Sequence, residues 1–365
     1  MMHLKRSFFL ILSLTVSAVT VFAVTPQAQE TIDLNALYQQ IDDAIRQSPQ
    51  YVEERESKIS ACRDELLKEN SLEESVMIAE ELFLLYQPYR NDSALYYAEL
   101  CISLADSLQR PDLVGRFRSM LAYQCSNVDL YNESLEQLLM INNSELDKRG
   151  LGDYYHAWMH VYGELAHYSQ RKDIRERYFN LQNQYRDSVL MVADKDSEHY
   201  LHLKLDILCA RRQFQDALRV SDKWLRRVED DTHESSYAAF YRSMIYDNLK
   251  NHDMVCYWLG KSALEDIRCA VMNQASLLFL AEHLAEDGDI SRASRYTEFS
   301  KKCNLFFYPR LRTYQVNSVI NVIEKRYQAN QVRTNTILMI ASIVIVLLLM
   351  ALVYTILRLR RRNIK

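Results

Sequence analysis

The chain has 365 residues with only six glycines and five prolines, and a formal net charge of −4 at pH 7. So few turn formers argue against sheet-rich folds, and without GxGxxG, GxxxxGKS/T or GxSxG the Rossmann, P-loop and serine-hydrolase chemistries lose their carriers. The charge is divided: residues 1–29 hold Lys5 and Arg6 and no acid, residues 336–365 hold five basic groups and no acid, and the body between has 37 basic against 48 acidic residues, a net of −11 that disfavours a nucleic-acid surface.

Residues 1–28 read as a signal peptide. Lys5 and Arg6 precede an apolar run from Phe8 to Val24, and cleavage is expected after Ala23 or Ala28. Beyond it, residues 31–305 break into helical stretches joined by short polar links. The expected pairs are 33–48 with 51–69, 71–87 with 91–108, 111–126 with 130–141, and 151–169 with 172–192. They continue as 195–211 with 214–229, 232–249 with 252–264, and 267–286 with 289–303. Ser71 to Glu74 and Asp231 to Glu234 suit capping boxes, Pro111 suits a first helical turn, and Gly288 suits a left-handed C-cap. The seven cysteines are odd in number and lack a CxxC, so they are expected to be buried free thiols.

On a helix from Leu151, one stripe holds Leu151, Tyr154, Trp158, Val161 and Leu165, the expected core side. A second stripe holds Asp153, His156, His160, Glu164 and His167, the expected groove-lining polar face and ligand-contact set. His156 and His160 stand four apart, as two metal ligands can, but no HExxH glutamate accompanies them; neither a metal nor a cofactor is expected. His199 and His202 read as polar side chains exposed to solvent on the outer surface.

Residues 308–335 form a membrane-proximal helix. Its stripe of Val316, Val319, Ile320, Ile323 and Tyr327 suits docking on the last repeat, or self-association. Residues 337–357 are an uncharged run whose 21 residues would rise about 31 Å, enough for a transmembrane helix. The tail 358–365 brings Arg358, Arg360, Arg361, Arg362 and Lys365, which by the positive-inside rule stay in the cytoplasm. The reading is a single-pass protein of a bacterial inner membrane with its bulk in the periplasm.

Internal comparison aligns the stretches from Cys209, Asn248 and Ala285. Small residues Ala217, Cys256 and Ala293 coincide, each followed three places on by Val220, Leu259 or Tyr296; a looser copy has Ser134, with Leu138 four places on. These repeats resemble tetratricopeptide repeats, which implies an all-α, right-handed solenoid of helix pairs. The stretches IDDAIRQSPQYVEERESKISACRDEL from Ile41 and NDSALYYAELCISLADSL from Asn91, together with the span and its arginines, resemble a Bacteroidetes family of exported, single-span, tetratricopeptide-type proteins of unknown function. The resemblance implies a non-enzymatic interaction scaffold or sensor with a protein or peptide partner. Relatives of this type continue past the span into a cytoplasmic segment, some with a DNA-binding module, whereas this sequence stops eight residues after Leu357. A truncated membrane-anchored transcriptional regulator is therefore one alternative, and a metal-dependent enzyme centred on His156 and His160 is another.

Overall fold

Long Leu-, Ala- and Glu-rich segments between rare breakers form helices because side chains of this kind lose little freedom there. The protein is described by a computed structural model covering residues 32–68, 70–307 and 313–363. The expected signal peptide and residues 364–365 lie outside the described residues, as do the side chains of Val316, Val319, Ile320, Ile323, Arg358, Arg360, Arg361 and Arg362. Among the described residues there are fourteen α-helices and no strand. In chain order they are α1 (Leu34–Leu66), α2 (Leu72–Tyr86), α3 (Asn91–Ser107), α4 (Pro111–Ser126), α5 (Tyr131–Leu139), α6 (Lys148–Tyr168) and α7 (Lys172–Val192). There follow α8 (Glu198–Ala210), α9 (Phe214–Leu225), α10 (His233–Asn248), α11 (His252–Arg268), α12 (Ala275–Glu286), α13 (Ile290–Phe307) and α14 (Thr313–Asn363). From α2 to α13 they pack as consecutive pairs, each against the next.

The small positions of the repeats are close-approach points. Ala217, Cys256, Ala293 and Ser134 are fully buried, and the Ser134 hydroxyl donates to the Ala122 carbonyl at 2.6 Å. The turns repeat as well. Arg110, Leu130, Gln213, Asn251, Val271 and Asp289 each donate a backbone N–H to the carbonyl five residues earlier, at 2.8 to 3.1 Å. The residue before each donor has positive φ: Gln109, Asp129, Arg212, Lys250, Ala270 and Gly288. This is the left-handed helix stop, and only Gly288 announces it in the sequence.

Several boundaries differ from the sequence reading. Residues 34–66 form one helix where two were expected, with Pro49 inside it. A proline there removes the donor for the carbonyl of Ile45; the Ser48 hydroxyl takes that place, donating to Ile45 O at 2.9 Å. Burial on both sides then holds the helix together: Leu37, Tyr38 and Ile41 enter one apolar cluster, Ile59 and Cys62 another. The helix expected at 267–286 begins only at Ala275, because α11 runs on to bury Ile267 and then turns through Ala270. The expected Asp231 capping box is also displaced. Thr232 is the N-cap, accepting from Ser235 N at 3.2 Å, while Glu234 accepts from the Trp224 indole N–H at 3.2 Å. The Ser71–Glu74 capping box, Pro111 at the start of α4 and the left-handed Gly288 (φ 92°) all occur as expected.

The array closes on itself. The first half of α1 packs against α11, and Gly260 of α11 lets Leu37 approach so near that a Cβ there would lie 2.8 Å from Leu37 Cδ2. Asp42 accepts from Arg292 and Arg295 of α13 at 3.2 to 3.3 Å, and the Tyr296 hydroxyl donates to Tyr38 O at 3.1 Å. The second half of α1 packs on α2, where Arg55 donates both to Leu85 O and to Cys269 O beyond α11. Met272 N donates directly to Pro88 O at 2.8 Å. First and last repeats are thereby stitched through backbone and side chains alike.

α14 is a single uninterrupted helix through both the expected membrane-proximal segment and the expected span, and its neighbours are α12 and α13. Its stretch from Tyr327 to Leu357 is the one described helix long and apolar enough to cross a membrane, with none of its apolar window buried. Tyr327, from the expected contact stripe, is 40% exposed.

Candidate functional site

Closure makes the inner helices α2, α4, α6, α8, α10 and α12 converge on a cavity of about 590 Å³. Each contributes polar side chains from one face. Arg116 on α4 is 8% exposed and pairs with Glu80 of α2 at 2.5 Å and with Asp153 of α6 at 3.2 Å. Asp153 also meets His199 Nε2 of α8 at 3.7 Å. On α10, His233 Nδ1 lies 3.4 Å from Asp266 of α11, whose other contact is a hydrogen bond accepted from Ser236 at 2.6 Å. The cavity wall is thus a belt of alternating charge that crosses several inter-repeat seams.

The histidines cluster at the centre of this belt. His156 of α6 stacks on His199 of α8, with ring centroids 4.0 Å apart, and lies 5.7 Å from the His202 ring. His202 Nδ1 is 3.1 Å from Glu198 O, and its ring stacks on Tyr241 at 5.4 Å. His160 Nδ1 pairs with Ser126 Oγ of α4 at 2.8 Å, and its ring packs against Tyr123 at 4.5 Å. Their titrations diverge. Burial, reinforced by the neighbouring imidazoles, holds His156 well below the usual histidine range, and burial brings His202 down to about 4. Burial would also lower His199 and His233, but Asp153 and Glu198 outweigh it for the first and Asp266 for the second, so both lie above the usual range. Burial raises Glu198. Neutral and protonated imidazoles can therefore coexist within one stack near neutral pH.

Of the residues singled out in the sequence, Asp153, His156, His160 and Glu164 line this cavity; His167 does not, and is exposed near the end of α6 against Tyr168. The apolar stripe lies where expected, with Val161 fully buried and Trp158 nearly so. His199 and His202 do not belong to the outer surface as expected: they complete the cavity, with His202 5% exposed. Glu80, Arg116, His233 and Asp266 were not singled out. Each looks ordinary on its own helix, and the shared feature is only a polar residue facing the cavity, from α2, α4, α10 and α11.

Among the described residues, His156 and His160 do not form a triad of metal-donor atoms within reach of one ion. One such group occurs elsewhere: His252, Cys256 and His283, whose donor atoms all lie within 4.8 Å of one another. All seven cysteines are free.

Paired helices around a polar inner surface define a tetratricopeptide-type repeat protein. The family model described as the SusR N-terminal TPR domain matches residues 45–318, most of the chain, and the protein belongs to that family. No curated protein matches the chain.

Proposed function

We propose that the protein is a non-enzymatic, membrane-anchored interaction scaffold or sensor whose inner cavity takes a polar segment of a partner protein. The observation that carries this reading is the convergence of Arg116, Asp153, His156, His199, His202 and His233 from four helices on one cavity. A cavity of that size holds a few side chains, and buried groups that compete for protons offer a partner both donors and acceptors. Repeat arrays of this class use their inner faces as contact surfaces. Asp153, His156, His160 and Glu164 are the residues assigned to contact. Residues 337–357 of α14 anchor the protein, residues 30–335 lie in the periplasm, and the basic end lies in the cytoplasm. The signal leaves along α14 to a membrane partner.

Photocrosslinking in cells tests the cavity. A photoreactive residue at Tyr123 should trap a partner, the adduct should be lost with His199→Ala, and the same residue at exposed Phe179 should trap none. Adducts from Phe179 alone would overturn the assignment. A reporter active only in the cytoplasm should work after Lys365 and fail near Asn330; the opposite pattern would reject the topology.

A second reading is a membrane-anchored transcriptional regulator, of which these repeats are the input half. The family description, an N-terminal domain of SusR, favours it. The encoding reading frame decides: continuation past Lys365 into a DNA-binding module would establish the regulator.

A further inference from the structure

His252, Cys256, His283 and Asp287 stand apart from the cavity, where α11 begins and α12 ends. His252 and Cys256 are four residues apart on α11, so one face presents both. His283 is in the last turn of α12 and Asp287 is its C-cap, again four apart. His252 Nε2 lies 3.6 Å from Cys256 Sγ and 2.8 Å from Asp287 Oδ2. The His252 and His283 rings meet edge to face at 5.2 Å. His283 Nδ1 is buried without a hydrogen-bond partner, its nearest carboxylate being Glu286 at 3.7 Å.

Packing accounts for the size of residue 256 but not for its chemistry. The equivalent repeat positions are Ala217 and Ala293, and four residues before them stand Gln213 and Asp289, where α11 has His252. Among these three repeats, a sulfur at the small position and an imidazole four residues before it occur only on α11, and His283 faces them from α12. Zinc bonds of about 2.3 Å to sulfur and 2.0–2.1 Å to nitrogen give a tetrahedral S···N edge of about 3.6 Å. The observed Cys256–His252 separation has that length.

We propose that His252, Cys256, His283 and Asp287 form a structural site for a divalent d-block cation, with zinc as the best fit. Two neutral imidazoles, one thiolate and one carboxylate compensate the two positive charges, and the mixed nitrogen, sulfur and oxygen set suits a borderline-soft ion. On binding, the Cys256 thiol loses its proton to solvent, and His252 moves its ring proton from Nε2 to Nδ1 as the metal replaces the hydrogen bond to Asp287. The net release is one proton per ion. Burial and the nearby Asp287, Asp253 and Glu286 charges push the free thiol up to about 11, and those same charges attract a cation. His252 and Asp287 are 43% and 48% exposed, so an ion can enter from solvent. The bound ion joins α11 to α12 beside Tyr38 of α1, at the seam that closes the array.

The test uses the full chain in detergent, free of affinity tags and stripped with a chelator, then titrated with zinc or cobalt(II) alone. One ion should bind per chain, and cobalt should give a thiolate-to-metal charge-transfer band in the near ultraviolet. Cys256→Ala keeps the small side chain of the equivalent repeats and should stay folded, yet lose the band and the proton release. His283→Ala should weaken zinc at least tenfold, whereas His156→Ala with His160→Ala should change neither stoichiometry nor spectrum. Absence of stoichiometric binding, or equal binding by Cys256→Ala and the unaltered chain, would overturn the site.

Discussion

Arg116 shows how much one side chain can hold in this architecture. It is buried between Glu80 and Asp153, on two different neighbouring helices, so removing it leaves two carboxylates facing each other with no cation of comparable burial. Arg116→Ala should lower unfolding stability by about 3–5 kcal/mol, the usual consequence of stranding a buried charge. Chemical denaturation measures this, and a loss below about 1 kcal/mol would mean that solvent reaches the pair freely. His202 predicts a pH effect of definite sign. Its folded value, about 4, lies under the ordinary 6.5, so the unfolded chain takes up a proton first as pH falls. Its contribution is complete above pH 6.5 and is lost between there and about pH 4, at most about 3 kcal/mol. His202→Gln should flatten the stability profile across that window, and an unchanged slope would show that His202 is not held neutral. The stripe from Asp153 to Glu164 was legible because one helix carries it at spacings of three and four. His199, His202 and His233 were not, because their significance arises only when helices distant in sequence face one another.

The helices themselves were largely legible, since rare breakers and apolar periodicity define where a helix can run. The failures lie where tertiary contacts override a local signal. Ser48-Pro49 reads as a break, and it would be one in an isolated peptide; here the serine satisfies the carbonyl that the proline abandons, and both halves of α1 are buried. Ser48→Ala should therefore cost about 1 kcal/mol by leaving Ile45 O unpaired, despite alanine's higher helix propensity. Thermal unfolding checks the sign, and a stabilised variant would refute the compensation. The left-handed turns were hidden for a related reason: apart from Gly288 and Asp129, they carry residues that do not favour positive φ. Lys250→Gly should raise stability by about 0.5–1 kcal/mol, since its pairing with Asp247 is exposed and weak. A lower Tm would show that the turn gains nothing from relief of its Cβ.

Repeat periodicity implied a stack of pairs, but it gave no sign that the stack returns to its start. That information sits in Gly260, Asp42, Arg292 and Tyr296, each ordinary in isolation and meaningful only as partners some 220–260 positions apart in the chain. Gly260→Leu should wedge α1 from α11 at a cost of about 1–3 kcal/mol, and exchange of amide hydrogens should accelerate in α1 first. Uniform acceleration throughout would place the damage elsewhere. An open row of repeats has two outer units with a neighbour on one side only, and such rows melt inward from their extremities. Here the opening unit shares side chains and a backbone bond with the final one, so neither has a bare flank. Loosening any unit must break two seams together, and losing one unit deprives both neighbours. Such a topology turns a graded sequence of local melts into a single collective transition, and a change at any wall of the cavity is felt around its whole circumference.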